Sequence, residues 1–298
     1  MRSIDTATRL CAVIGNPVEH SLSPLIHNAA FEAAGLNYVY VAFRVEDVQG
    51  CLSGMRALPG FRGMSVTIPH KIAVMQYLDE IDPMAVNVGS VNTIVNERGK
   101  LIGLTTDGLG TLRAFEETGI SLAGRKVLFT GAGGAVRAVA FAVAQPEGAA
   151  SGPPEAGPSQ ITMLGRNESR VAALVDDLRA KTPVPIRGGN LSRDLPEAMA
   201  THDIVIQGTP IGMYPNSIEE TAIPKDLLRP EQVVFDMVYR PLKTRLIRDA
   251  ETRGCRTILG VEMLLNQAAL QFEAWTGVAA PRAVMRDALI GALTSKGA

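Results

Sequence analysis

Short runs of β-branched and aliphatic residues alternate with amphipathic stretches from one end of the chain to the other. The first half predicts strand Arg9–Ile14, helix Pro24–Ala34, strand Tyr38–Phe43 and helix Val45–Ala57. Gly63–Thr67 reads as extended and Pro69–Leu78 as helical, while Val91–Val95 and Leu101–Gly103 form a hairpin across Asn96-Glu97-Arg98-Gly99. In the second half, strands fall at Val127–Thr130, Ile161–Leu164, Ile204–Gln207, Val233–Asp236 and Thr257–Leu259, with helices between them. Helices Val261–Trp275 and Pro281–Leu293 finish the chain. Such alternation predicts an α/β protein built on parallel sheets covered by helices. One stretch breaks the pattern. Gln145–Ser159 is rich in Pro, Gly, Ala and Ser and has no periodicity. It is either a domain linker or an exposed insertion between helix Ala135–Ala144 and the strand at Ile161.

With 298 residues the chain has room for about two domains. A hydrophobic share of 46% rules out general disorder, and 29 basic against 30 acidic residues argues against a nucleic-acid partner. No apolar run reaches the ~20 residues of a membrane span. The start lacks a signal-peptide core, because Asp5 and Arg9 interrupt it. Cys11, Cys51 and Cys255 are odd in number and far apart, so neither a disulfide framework nor a zinc site is expected. His20 and His27 have no acid or cysteine at ligand spacing, and no metal is expected. A cytoplasmic protein is the expectation.

Val127-Leu128-Phe129-Thr130 runs directly into Gly131, Ala132, Gly133, Gly134 and Ala135, which open a helix. Strand, glycine loop and helix in this order suit a dinucleotide: glycines admit a pyrophosphate, and the helix N-terminus supplies unpaired N–H groups. A tight strand–helix turn is the plainer reading. At the end of the next strand, Gly165-Arg166-Asn167 carries no carboxylate before Glu168. An acid there reads the ribose of NAD, whereas Arg166 suits the 2′-phosphate of NADP. A surface arginine is the alternative.

In the first half, Ser21 and Ser23 are two residues apart, so an extended segment presents both hydroxyls on one side. Pro24 suits the first helical position and Ser23 the N-cap, and hydroxyls beside a helix start make a seat for a carboxylate. Capping by Ser23 alone leaves Ser21 unexplained. Lys71, in the first turn of the helix expected from Pro69, sits where the dipole disfavours a cation, and enclosure would tune it for acid–base work. Asp107 precedes an amphipathic helix as a natural N-cap.

The segments GNPVEHSLSPLIHN, SVTIPHK, GSVNT, TTDG, GAGGAVRA, GTPIGM, FDMVYRP and GVEMLLNQAALQFEAWTG follow one another as in the shikimate dehydrogenase family. The chain resembles that family over residues 13 to about 277. The resemblance implies two domains. Residues 1–107 with 261–298 would form an α/β substrate domain, and 108–260 a Rossmann-type doubly wound dinucleotide domain, the terminal helices returning to the first. It implies reversible, NADPH-dependent reduction of 3-dehydroshikimate to shikimate by a monomer or homodimer.

Position by position, the resemblance makes Lys71 and Asp107 the acid–base pair, and Ser21, Ser23 and Thr67 the carboxylate hydroxyls. Asn92, Tyr239 and Gln267 would surround the substrate ring. Gly131–Ala135, Arg166, Thr209, Met237 and Gly260 would hold NADP. Three positions depart from the family's usual Asn: Ser65, Thr105 and Gln207. Ser65 and Thr105 flank the proposed pair, so contacts to the ring hydroxyls are expected to differ. The rival readings are a broader quinate/shikimate dehydrogenase, a non-catalytic shikimate or quinate sensor on the same fold, and a folate-type dehydrogenase, which the paired serines do not support.

Overall fold

The computed structural model describes residues 4–145 and 157–295. The chain forms two compact units: one ends at Asp107 and resumes at Leu265, and the other is Gly108–Leu264.

The first unit opens with β1 (Arg9–Gly15), α1 (Ser23–Ala33), β2 (Tyr38–Arg44), α2 (Val48–Ala57) and β3 (Phe61–Val66). A 3-10 helix (Ala73–Tyr77), β4 (Glu80–Ile81), α3 (Pro83–Val88), β5 (Thr93–Glu97) and β6 (Lys100–Leu104) follow. Their sheet has the order β2-β1-β3-β5-β6-β4. Strand β1 runs parallel to β2 and β3, whereas β5 is antiparallel to both β3 and β6. The β5–β6 turn is Arg98-Gly99, both at positive φ (55° and 91°), the mirror-image geometry that matches strand twist.

Two starts differ from expectation. Helix α2 begins at Val48 because Asp47 accepts the Gly50 N–H and caps it. The helix expected from Pro69 is only the 3-10 helix from Ala73. Backbone partners explain this: His70 N–H bonds back to Thr67, and the Lys71 carbonyl is taken by Val91 N–H at 2.9 Å. Lys71 therefore lies in a turn ahead of the helix, and the dipole argument for it does not hold.

The second unit contains α4 (Asp107–Glu117), whose first residue still belongs to the first unit, then β7 (Lys126–Thr130), α5 (Gly134–Ala144) and β8 (Gln160–Gly165). Next come α6 (Glu168–Lys181), β9 (Ile186–Asn190), α7 (Leu191–Thr201), β10 (Ile204–Gln207), β11 (Val233–Asp236), α8 (Arg245–Thr252) and β12 (Arg256–Ile258). The sheet order is β12-β11-β10-β7-β8-β9, and every pairing is parallel. This is the doubly wound arrangement, with the reversal of strand order beside β7. Strands β7, β10 and β11 are buried on both faces, hence their unbroken apolar runs. Part of the Gln145–Ser159 segment, 146–156, lies outside the described residues; it connects α5 to β8 of one sheet.

The chain ends with α9 (Gly260–Thr276) and α10 (Arg282–Ser295). From Leu265 onward these belong to the first unit, where α10 packs on α1. Trp275 is fully buried and donates its indole N–H to the Ile94 carbonyl at 3.0 Å. Gly63 in β3 leaves the space for it, since a Cβ there would stand 2.0 Å from Trp275 Cδ1. Among the described residues no helix is long and apolar enough to cross a membrane.

Gly63→Ala forces this contact apart and is expected to destabilise the protein by at least about 1–3 kcal/mol in urea unfolding. Gly54→Ala, at an exposed site in α2 with nothing within 4 Å of the new Cβ, is expected to stabilise it by roughly 0.5–1 kcal/mol.

Candidate active site

Strand direction gathers the polar residues of the first unit. The loops after β1 and β3 leave at the carboxyl ends of parallel strands. Because β5 is antiparallel to β3, its start lies at that same end, and so does the end of β6. Thus Ser21 and Ser23, Thr67 and Lys71, Asn92, and Thr105-Thr106-Asp107 all emerge from one edge of the sheet.

Asp107, just beyond β6, joins these residues. Its Oδ2 accepts from Lys71 Nζ at 2.6 Å, and its Oδ1 accepts from Asn92 Nδ2 at 2.7 Å. The two charged side chains are largely enclosed, 25% and 12% exposed. Asn92 is buried, and its Oδ1 accepts from Thr106 N–H (2.9 Å) and Thr93 Oγ1 (2.8 Å). Gln267, on α9, reaches the Thr106 hydroxyl at 3.5 Å. Four residues named from the sequence thus share one hydrogen-bonded cluster: Lys71, Asp107, Asn92 and Gln267. Asp107 is the first residue of α4, with both carboxylate oxygens taken up in this way.

The hydroxyl pair is arranged differently from the expected cap. Leu22 occupies the N-cap of α1 and makes no side-chain cap bond, while Ser23 and Pro24 open the helix. It is Ser21 Oγ that accepts the Ser23 N–H, at 3.3 Å. Leu22 has helical dihedrals, so the turn begins one residue earlier than the proline suggests. Thr67 comes up against the same loop: a Cβ on Gly15 would meet Thr67 Cγ2 at 2.5 Å. Ser65, expected beside the lysine and aspartate, is buried, and its hydroxyl is taken by Tyr40 (2.7 Å) and Gln271 (2.9 Å). Thr105 is likewise buried.

In the second unit the carboxyl ends of β7, β8, β10, β11 and β12 lead into Gly131, Arg166, Gly208, Met237 and Leu259-Gly260. Gly131 has φ +101° and stands against Gly208 across the reversal of strand order, where a Cβ would lie 3.1 Å from the Gly208 carbonyl. Gly133 caps α5 without a side-chain bond, and nothing lies within 4 Å of a Cβ on Gly133 or Gly134. Backbone N–H groups at this helix start are therefore approachable by a pyrophosphate. Arg166 is exposed at the end of β8, and the first carboxylate beyond it, Glu168, accepts from Asn190 at 2.8 Å. Met237 Sδ lies against Gly208, and Gly260 approaches the Val238 carbonyl as only glycine can. Thr209 is buried, and Tyr239 is exposed in the loop after β11. These residues fit a dinucleotide with a 2′-phosphate.

Known proteins resemble this chain over nearly all of its length. Residues 13–94 match the shikimate dehydrogenase substrate binding domain, and residues 260–290 the shikimate 5′-dehydrogenase C-terminal domain. Shikimate dehydrogenase (NADP(+)) of Moorella thermoacetica is 46% identical over 96% of this chain and 94% of its own. The chain belongs to the shikimate dehydrogenase family. Shikimate 5-dehydrogenase from Listeria monocytogenes, solved with shikimate and NAD, shares the fold at TM-score 0.89 and 37% identity, over 97% of this chain and 99% of that one. The Thermus thermophilus enzyme, solved with NADP(H) and shikimate, gives 0.82 and 34%, over 96% and 100%.

Two residues hold the loops of the second unit: Gln207, which the sequence marked only as a departure from the family's Asn, and Asp236, which sequence reasoning missed. Gln207 Nε2 donates to the Thr209 and Ile211 carbonyls and to Asp236 Oδ1, and its Oε1 accepts from Thr209 N–H. Asp236 also accepts from Val238 N–H and from Thr244, the N-cap of α8. A carboxylate ending an apolar strand was the signal. Burial pushes the Asp236 carboxyl up to about 6, against the hydrogen bonds from Thr244, Val238 and Gln207.

Because the folded-state value lies above the ordinary 3.8, the stabilising contribution of Asp236 is full below that value and is lost as pH rises through about 6. Compared with Asp236→Asn, the parent is expected to gain about 2–3 kcal/mol of unfolding free energy between pH 7.5 and pH 4. Urea titrations of both proteins across that range measure the difference.

Proposed function

We propose that this protein reduces 3-dehydroshikimate to shikimate reversibly with NADPH, a step toward aromatic amino-acid precursors. In this reading 1–107 with 261–298 hold and transform the substrate, and 108–260 hold the cofactor. The carrying observation is the Lys71 ammonium, 2.6 Å from Asp107 Oδ2, on an edge that also bears the Ser21, Ser23 and Thr67 hydroxyls.

Reduction of a ring ketone develops negative charge on oxygen. Lys71 answers that charge with its own and delivers the proton from Nζ; in the reverse direction the neutral amine accepts the hydroxyl proton. Asp107, steadied by Asn92, points the lysine. Ser21, Ser23 and Thr67 bind the substrate carboxylate through hydroxyl hydrogen bonds, and Asn92, Gln267 and Tyr239 orient its ring. When bound, NADPH supplies the hydride. Gly131, Ala132, Gly133, Gly134 and Ala135 would hold its pyrophosphate, Arg166 its 2′-phosphate, and Thr209, Met237 and Gly260 its nicotinamide end. The cytoplasm, where NADPH is drawn on for biosynthesis, is the compartment this reading implies.

The deciding experiment is NADP-linked oxidation of shikimate by purified protein, followed through cofactor absorbance. Lys71→Ala is expected to lower kcat by roughly 10²–10⁴-fold with a much smaller change in KM. A folded Lys71→Ala protein with unchanged kcat removes the lysine from this role.

Arg166→Ala is expected to weaken NADP binding by about 1.5–3 kcal/mol, or roughly 10- to 150-fold, and to leave NAD nearly untouched. Fluorescence titration with each cofactor tests it. Equal losses would mean that Arg166 does not read the 2′-phosphate.

A further inference from the structure

Behind the Lys71–Asp107 pair runs a buried line of polar side chains, of which the mechanism above uses only the inner end, Asn92. Tyr40 OH donates to Ser65 Oγ (2.7 Å), Ser65 Oγ to Gln271 Oε1 (2.9 Å), and Gln271 Nε2 to Thr93 Oγ1 (2.9 Å). Thr93 Oγ1 donates to Asn92 Oδ1 (2.8 Å), and Asn92 Nδ2 to Asp107 Oδ1 (2.7 Å). Tyr40, Ser65, Gln271, Thr93 and Asn92 are all buried, on β2, β3, α9 and β5 and just ahead of β5.

The direction of this line is set by backbone groups, whose roles cannot reverse. Gln271 Nε2 also faces the Asn92 carbonyl at 3.3 Å, an acceptor only, so the other end of that amide must be its oxygen, facing Ser65. Thr106 N–H, a donor only, fixes the Asn92 carboxamide with its oxygen inward and its NH₂ toward Asp107. The hydroxyls then have one arrangement left. Thr93 accepts from Gln271 and donates to Asn92, and Ser65 donates to Gln271 and accepts from Tyr40. The outer end is anchored as well: the Asn28 side chain bonds both the N–H (3.0 Å) and the carbonyl (2.7 Å) of Tyr40, and His27 stacks on its ring at 4.5 Å.

We propose that Thr93 and Gln271 are positioning residues of the acid–base site, acting through Asn92 to hold Asp107 and thereby Lys71. The terminal torsion of an asparagine is broad, so its carboxamide stays where its partners keep it. Without the Thr93 hydroxyl, Asn92 Oδ1 keeps its contacts to Thr106 alone, and its NH₂ drifts from the carboxylate that orients the lysine. The inference rests on the reading of Lys71 and Asp107 as the acid–base pair. It adds two residues, Thr93 and Gln271, to which the mechanism above gives no role.

The test compares Thr93→Val, which keeps shape and removes the hydroxyl, with Thr93→Ser, which keeps the hydroxyl. Gln271→Met and Lys71→Ala complete the set, and all are assayed for NADP-linked shikimate oxidation beside a thermal melt. Thr93→Val and Gln271→Met are expected to lower kcat on the order of 10- to 100-fold, the scale of a displaced catalytic group, with KM shifted less than about threefold. Thr93→Ser is expected to recover most of the loss, which packing alone would not predict. Should Thr93→Val fail to fold, Gln271→Met carries the same comparison. If Lys71→Ala collapses kcat while Thr93→Val and Gln271→Met keep parental kcat, the positioning role is wrong and the acid–base pair stands. If Thr93→Ser loses as much as Thr93→Val, the hydroxyl is not the agent and the inference also falls. If Lys71→Ala keeps its kcat, the acid–base reading itself is overturned.

Discussion

Strand direction is the constraint from which the chemistry of both units follows. A parallel pair returns the chain to the same edge each time, so successive loops leave the sheet together at its carboxyl end. In the second unit this places Gly131, Arg166, Gly208, Met237 and Gly260 at one end of six parallel strands. The first unit reaches the same result by another route. Strand β5 is inverted, and its two-residue turn at Arg98-Gly99 inverts the chain again, so Asn92 and Asp107 arrive beside Thr67 and Lys71. A hairpin substitutes for a crossover helix, and residues separated by 36 positions come within 2.6 Å.

Placing polar groups at a sheet edge under helices has a cost unless each finds a partner. Both units meet it with amides. Asn92 and Gln271 carry the line behind Asp107, while Gln207 binds the loop that follows β10 and the Asp236 carboxylate. An amide offers donors and acceptors at opposite ends, so it can join a carbonyl to a carboxylate without adding charge. His27 shows the opposite solution. Burial pushes it down to about 3, and it serves as a neutral ring against Tyr40 and Trp275. Burial also drives the Tyr40 phenol well above its ordinary value, which keeps it a donor to Ser65.

Much was legible along the chain, for reasons that are local. Apolar runs at Val127–Thr130, Ile204–Gln207 and Val233–Asp236 named the buried strands, since burial on both faces leaves no room for alternation. Glycines at 131, 133 and 134 directly after a strand marked a loop whose value lies in having no side chains. The segment around Lys71 was misread as a helix because its backbone partners, Thr67 and Val91, lie one turn back and across the sheet. Strand β9 went unread because its Gly188 and Gly189 resemble loop composition, yet Val171 and Val175 of α6 crowd any Cβ at Gly188, and Asp194 and Leu164 any at Gly189.

Residue type, spacing and turn chemistry are carried by neighbours in the chain, and they settled most of the elements and the glycine loop, while Lys71 and Asp107 were joined as a pair only through the family resemblance. Only the tertiary structure decided that Asp107 meets Lys71 rather than merely opening a helix, and that Ser65 faces Tyr40 and Gln271. A hydroxyl or carboxylate has no preferred partner of its own. Which one it finds depends on strand order and on where α9 lays Gln267 and Gln271 across the sheet, contacts between residues as many as 206 positions apart.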